Sequence, residues 1–258
     1  MSKTILITGA TDGIGLLTAR KLSDAGHTVL VHGRSMDKLA AAADMIGGAP
    51  KTYRADLSKM GDVKAFADAV LDDVPSLDVL INNAGVLKAS ETQTEAGRDI
   101  RFDVNTIAPY LLTQLLLPII PTDGRVVNLS SAAQAPVGVD AMRSYRPMAD
   151  MDAYAQSKLA ITIWTAKLAK QHPNGPAIIA VNPGSLLASK MVHEGFGVAG
   201  NDLSIGADIL ISAALEPAFA GASGKYFDND SGRFASPHPA AMDTNHVRSV
   251  MLALVEIA

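Results

Sequence analysis

Short apolar runs alternate with stretches in which apolar positions recur three or four residues apart, from the N-terminus to about residue 185. The runs predict strands at 4–8, 28–32, 50–54, 78–81, 125–129, 177–181 and 225–227. Between the first six, the period is helical. Ile14, Leu17 and Leu22 make one apolar face closed by Gly26, and Ser35 can cap a helix that stops at Gly47-Gly48. Ser58 can cap another that carries Val63, Phe66, Val70 and Leu71. A long helical segment is expected from about 95 to 117, and 246–257 reads as a short closing amphipathic helix. Nearly uncharged strands alternating with helices imply an α/β chain with a parallel sheet of about seven strands, covered by helices on both faces.

Composition narrows this picture. At 258 residues, with 48% apolar and 19% charged, the chain can bury a large core, and no repeat, low-complexity tract or linker divides it. We therefore expect one domain over 1–258. A net charge of −4 without a basic run argues against nucleic acid or an anionic membrane as partner. The absence of cysteine excludes disulfides and thiolate metal sites. No metal is expected from the histidines, which are scattered. Asp228-Asn229-Asp230-Ser231-Gly232 lacks the glutamate of a calcium loop, Pro239 standing in its place, and reads as a polar turn. The first apolar run is too short to span a membrane, and Pro109, Gln114 and Pro118 break up the most apolar helical stretch. A soluble cytoplasmic protein is the expectation.

The chemistry concentrates at strand ends. Thr8-Gly9-Ala10-Thr11-Asp12-Gly13-Ile14-Gly15 joins the first strand to the first helix, where glycines allow a pyrophosphate to approach backbone N–H groups at the helix start. Its spacing departs from G-x-G-x-x-G, so it meets the dinucleotide fingerprint in mechanism rather than in letter. This loop makes the expected fold a Rossmann-type doubly wound sheet. Arg34 follows the second strand, 19 residues after Gly15, where an acid would select NAD and an arginine suits the 2′-phosphate of NADP. Ser35 can add a donor, so NADP (NADPH) is expected rather than NAD. Asp56-Leu57 follows the third strand; the acid could accept from the adenine amino group or begin a turn. Asn82-Asn83-Ala84-Gly85 suits backbone approach to a ligand and cross-links between strand ends. Asn105, inside an apolar helical stretch, needs partners, since a bare buried amide costs about 1–3 kcal/mol. It could bond backbone or hold a water. Ser130 and Ser131 lie at the carboxyl edge of the fifth strand, where open α/β sheets bind ligands. Tyr154 and Lys158, four apart, share one helix face, and an ammonium there should lower the phenol's pKa.

Taken in order, these motifs resemble the short-chain dehydrogenase/reductase family over nearly the whole chain. The glycine turn matches its cofactor loop, Asn82-Asn83-Ala84-Gly85 its sheet motif, Asn105 its helix asparagine, and Ser131, Tyr154 and Lys158 its catalytic set. Val181-Asn182-Pro183-Gly184 matches its nicotinamide-side turn. Ser131 and Tyr154 lie 23 residues apart; with Asp99-Ile100-Arg101-Phe102-Asp103-Val104-Asn105 and Leu111-Leu112-Thr113, this looks like the retinol-dehydrogenase-like branch. The resemblance implies hydride transfer between nicotinamide and a carbonyl or alcohol. Tyr154 would move the proton and Ser131 hold the substrate oxygen. Lys158 would bind the nicotinamide ribose and assist the phenol, while Asn105 would hold a water. The family's threonine after Pro-Gly is not at its usual offset, and Ser189 is the candidate replacement beside the carboxamide.

The substrate is expected to be a small hydrophobic carbonyl or alcohol. Two segments should wall its pocket: 135–152, and 185–203 with Met191, Val192, Phe196 and Val198, where Gly195, Gly197 and Gly200 suggest a movable lid. Two other functions use the same fold, a non-catalytic NADP-sensing regulator and a non-redox lyase or epimerase. The regulator would not need Ser131, Tyr154 and Lys158 together. Leu112, Leu115, Leu116, Ile161, Trp164 and Leu168 could form the face of a homodimer or homotetramer, or cover the sheet.

Overall fold

The structure, a computed structural model, describes residues 2–258, the side chains of Lys190 and Phe196 excepted. Strands β1 (Thr4–Ile7), β2 (Thr28–Gly33), β3 (Lys51–Arg54), β4 (Val79–Asn82), β5 (Arg125–Leu129), β6 (Ala177–Asn182), β7 (Tyr226–Asp228) and β8 (Arg233–Ala235) form one sheet in the order β3-β2-β1-β4-β5-β6-β7-β8. All neighbours pair in parallel except β7 and β8. The eighth strand is an addition to the expected seven. The polar turn at 229–232 is therefore a hairpin rather than the end of the sheet. Asp228 and Asp230 both accept from the Asn182 amide there (2.8 and 2.9 Å), so these carboxylates fasten the turn to β6. Among the described residues, no group of three or more acidic or histidine side chains could hold a metal ion.

Period-2 alternation sends each strand's apolar residues to two cores. Ile5, Ile7, Val31 and Ile81 face helices α1 (Gly13–Asp24) and α2 (Met36–Ile46). Leu6, Leu30, Leu80 and Val126 face α3 (Met60–Asp73) and, beyond the short α4 (Ile100–Phe102), α5 (Ala108–Leu116). The remaining helices are α6 (Val139–Arg143), α7 (Asp150–Gln171), α8 (Lys190–Phe196), α9 (Leu203–Leu215) and α10 (Thr244–Ile257). Among the described residues, no helix is long and apolar enough to cross a membrane.

Several local expectations change. The buried stripe of α1 is Gly15, Thr18, Ala19 and Leu22, with Leu17 half-exposed, because small residues let the helix sit close to the sheet. Ser58 does not cap α3; its hydroxyl and N–H both donate to Asp56 in a turn. Leu71 lies on the solvent side of α3. The continuous helix expected from 95 begins only at Ile100, and Asp103–Ile107 is a π-helical turn before α5. Leu112, Leu116, Ile161, Trp164 and Leu168 are buried and cover the sheet, and α10 packs across α7 from the same chain.

Candidate active site

The strand order reverses at β1 and β4, and a crevice of about 330 Å³ opens at their carboxyl ends. Of the residues assigned to the cofactor from sequence, all but Ser35 and Gly184 line it. Ser35 caps α2, its hydroxyl accepting from Lys38 N–H. Asp12 caps α1 by accepting from Gly13 N–H (2.7 Å). Two glycines of the turn have no room for a side chain. Gly9 has φ +64°, and a Cβ there would lie 2.8 Å from Ala84 Cα. One on Gly15 would lie 2.5 Å from the Gly9 carbonyl oxygen and 2.4 Å from Asn83 Nδ2. Asn83 donates to the carbonyls of Thr8 and Gly9 (2.9 and 3.0 Å), and Asn82 to Asn128 and Thr113. The strand ends are thus cross-linked through side-chain amides. A bare backbone cradle at a helix start fits the pyrophosphate of a dinucleotide.

The other end of the crevice holds Tyr154 and Lys158, one turn apart on α7. Ser131, beyond the end of β5, stands near the Tyr154 hydroxyl and favours its ionised form, while its own hydroxyl accepts from Ala133 N–H (3.1 Å). Lys158 Nζ donates to the Leu129 carbonyl (2.7 Å) and lies 5.5 Å from the centroid of the Tyr154 ring. Here the electrostatics depart from the sequence reading. Burial raises the Tyr154 pKa, with Ser131 opposing it, and the ammonium over the ring face does not reverse the rise. Burial also pushes Lys158 down to about 8. Asn105 lies in the π-helical turn. Its amide nitrogen donates to Val86 O and Ser157 Oγ (2.9 and 3.0 Å), and its oxygen accepts from Val86 N–H (2.8 Å). Of the two options for this amide, the structure shows bonding to backbone, with a side chain added.

Ser189 lines the crevice and caps α8 by accepting from Val192 N–H. Pro183 lines it too. The apolar wall beside Tyr154 comes from Val86, Ile100, Val104 and Met191. Val198 is exposed, and the Phe196 side chain lies outside the described residues. No residue of 135–152 lines the crevice; the segment is fastened to α10, through Arg143–Glu256 (2.7 Å) and Val137 N–H to His246 (3.2 Å), and to α7, through Gly138 N–H to Gln156 (2.8 Å).

Sequence reasoning passed over His32 as the last residue of a strand. Its ring is buried, stacks on Phe66, and joins two loops that line the crevice. Nδ1 accepts from Gly9 N–H and Nε2 donates to Ala55 O, both at 3.2 Å. That pattern requires the neutral ring. Burial lowers its pKa from 6.5 to about 4. Unfolded chain therefore binds an extra proton between those values, so the contribution is complete above pH 6.5 and is lost as pH falls to 4. At about 1.4 kcal/mol per pH unit it amounts to roughly 3 kcal/mol. Thermal melts from pH 7 to pH 4 should show this acid limb in the unaltered chain and a shallower one in His32→Asn. Parallel curves would remove His32 from the account. The signal available in sequence was a lone polar ring closing an apolar strand beside the glycine turn.

Comparison with known proteins assigns the class. The family model described as short chain dehydrogenase matches residues 3–196, and the chain belongs to the short-chain dehydrogenase/reductase family. It is an NAD(P)-dependent oxidoreductase acting on CH–OH or C=O groups, of the retinol-dehydrogenase-like branch. Retinol dehydrogenase 13 of Homo sapiens is 31% identical over 95% of this chain and 81% of that protein. Among solved structures, the angucycline C-6 ketoreductase LanV with bound NADP is 28% identical, with TM-score 0.71 over 88% of this chain and 93% of that one. A 3-ketoacyl-(acyl-carrier-protein) reductase from Brucella melitensis complexed with NADH is 25% identical, with TM-score 0.71 over 90% and 98%.

Proposed function

We propose that this chain uses NADPH in preference to NADH to interconvert a small hydrophobic carbonyl compound and its alcohol, as a single catalytic unit over 1–258. The observation that carries the reading is Tyr154 and Lys158, one helical turn apart, lining the crevice together with Val86, Ile100, Val104 and Met191, with Ser131 near the phenol. The nicotinamide, when bound, supplies or accepts the hydride. Tyr154 donates the proton to the reduced oxygen; a phenol whose pKa is raised is protonated at neutral pH and suits that direction. Ser131 orients the substrate oxygen, Lys158 holds the nicotinamide ribose, and Asn105 steadies the wall at Val86. Ser189 and Pro183-Gly184 flank the nicotinamide end. Val86, Ile100, Val104 and Met191 bring no charge to the substrate, which supports an apolar one.

Preference for NADPH rests on two arginines. Arg34 lines the crevice, and Arg54, which pairs with Gly33 across the β2–β3 register, donates from Nε to the Arg34 carbonyl (3.4 Å). Both are exposed, and among the described residues neither has a carboxylate partner. Arg54 was not assigned from sequence, because only the sheet register brings it to Arg34. Two unpaired guanidinium groups at one rim suit a dianion. Arg34→Ala should weaken NADPH binding by about tenfold or more while leaving NADH unchanged, one charged hydrogen bond being worth about 1.5–3 kcal/mol. Fluorescence titration with both cofactors checks this. Equal affinities in the unaltered chain would reverse the assignment, and turnover of a carbonyl panel with NADPH tests the reaction itself.

A further inference from the structure

Arg101 is 1% exposed, one of the largest fully buried side chains in the molecule, and lies outside the crevice. Burying a guanidinium is unfavourable unless its donors are filled. Here Nε and one terminal nitrogen hold both oxygens of Asp99 (2.7 and 2.6 Å). The other terminal nitrogen donates to Asp150 (2.5 Å) and to the Leu87 carbonyl (3.4 Å). Asp99 is 0% exposed, and Asp150, at 39%, is the first residue of α7. Next to this triad Asp103 accepts from Arg98 and Thr94, both at 2.7 Å, so the 94–103 stretch is a braced platform.

The helix that carries the site has no side-chain cap: Ala149 stands at the cap position. Its next polar anchors lie beyond Tyr154: Ala155 O accepts from Ala135 N–H (3.2 Å), Gln156 from Gly138 N–H (2.8 Å), and Ser157 is held by Asn105 and Thr106. Asp150, one turn before Tyr154, is the only described residue of that first turn with an ion pair. We propose that Arg101 is a positioning residue: by bridging Asp150 to Asp99 and Leu87, it sets the first turn of α7 and with it the Tyr154 hydroxyl. This rests on Tyr154 as the proton donor. A planar fork is needed because three acceptors lie in different directions; lysine keeps the charge and loses the fork.

The test uses Arg101→Lys, Asp150→Asn and the double variant, each shown to be folded by its melting profile. Displacing a reacting group by about 1 Å costs on the order of a hundredfold, so we expect kcat to fall about tenfold to a hundredfold, with KM and NADPH affinity within about twofold. The double variant should be no slower than the slower single one, because both changes break the same bridge. Amide exchange over 150–158 should quicken about tenfold in every variant, with the glycine turn unchanged. Folded variants that keep the unaltered kcat, or leave exchange over 150–158 unchanged, would overturn the proposal. A merely structural role would lower the melting temperature and leave kcat of the folded fraction intact. Should the unaltered chain reduce no carbonyl, the proposed function fails, and the exchange measurement alone still decides whether Arg101 holds the helix.

Discussion

Tyr154→Phe is expected to lower turnover by about 10²–10⁴-fold, the range for removing a positioned acid–base group, with NADPH affinity within about twofold. The hydrogen bonds that hold the glycine turn, with His32 and Asn83, do not involve the phenol, so the substitution leaves them in place. Steady-state rates on a carbonyl that the unaltered chain reduces, with cofactor titration alongside, separate chemistry from binding. Undiminished turnover in the phenylalanine variant would take Tyr154 out of the mechanism. Burial keeps the phenol in the protonated form at neutral pH, the form that can donate to a reduced oxygen.

Lys158→Met should act on activity and stability with opposite signs. Burial pushes Lys158 from 10.5 to about 8. Below pH 8 the folded chain holds a desolvated ammonium, and the unfavourable term is complete there. It is relieved between pH 8 and 10.5, where the unfolded chain binds more protons. At about 1.4 kcal/mol per pH unit it is roughly 3 kcal/mol, of which about 1 kcal/mol is offset by the bond to Leu129 O that the variant loses. The methionine variant should therefore melt about 3–6 °C higher at pH 7, with the gain fading towards pH 10. Its turnover should fall by about a hundredfold, because Lys158 is proposed to hold the nicotinamide ribose and a misplaced reacting group costs on that order. Calorimetry across pH, beside initial rates, reads both. A lower melting temperature at pH 7 would show that Lys158 stabilises the fold rather than strains it.

Much of this site could be read before folding was considered. The glycine turn, Asn82-Asn83-Ala84-Gly85 and the Tyr154–Lys158 spacing are local patterns whose chemistry depends on neighbours in sequence, and all line or buttress one crevice. What escaped depended on contacts distant in the chain. His32 joins Gly9 to Ala55, and Arg54 reaches Arg34 only through the register of β2 and β3. The lowered tyrosine pKa failed for the same reason. Helical spacing puts Lys158 on the same face as Tyr154, but Leu129 O draws the ammonium away from the hydroxyl.

By itself the sequence determined the layered architecture, the position of the dinucleotide cradle and the residue types gathered at the reactive end, because periodicity and strand-end glycines act over a few residues. Tertiary structure alone decided the eighth strand, the π-helical turn around Asn105, the covering of α7 by α10, and the directions in which burial moves the pKa values of Tyr154, Lys158 and His32. Each depends on how far water is excluded and which distant carbonyl or amide stands in its place, and no short stretch of chain encodes either.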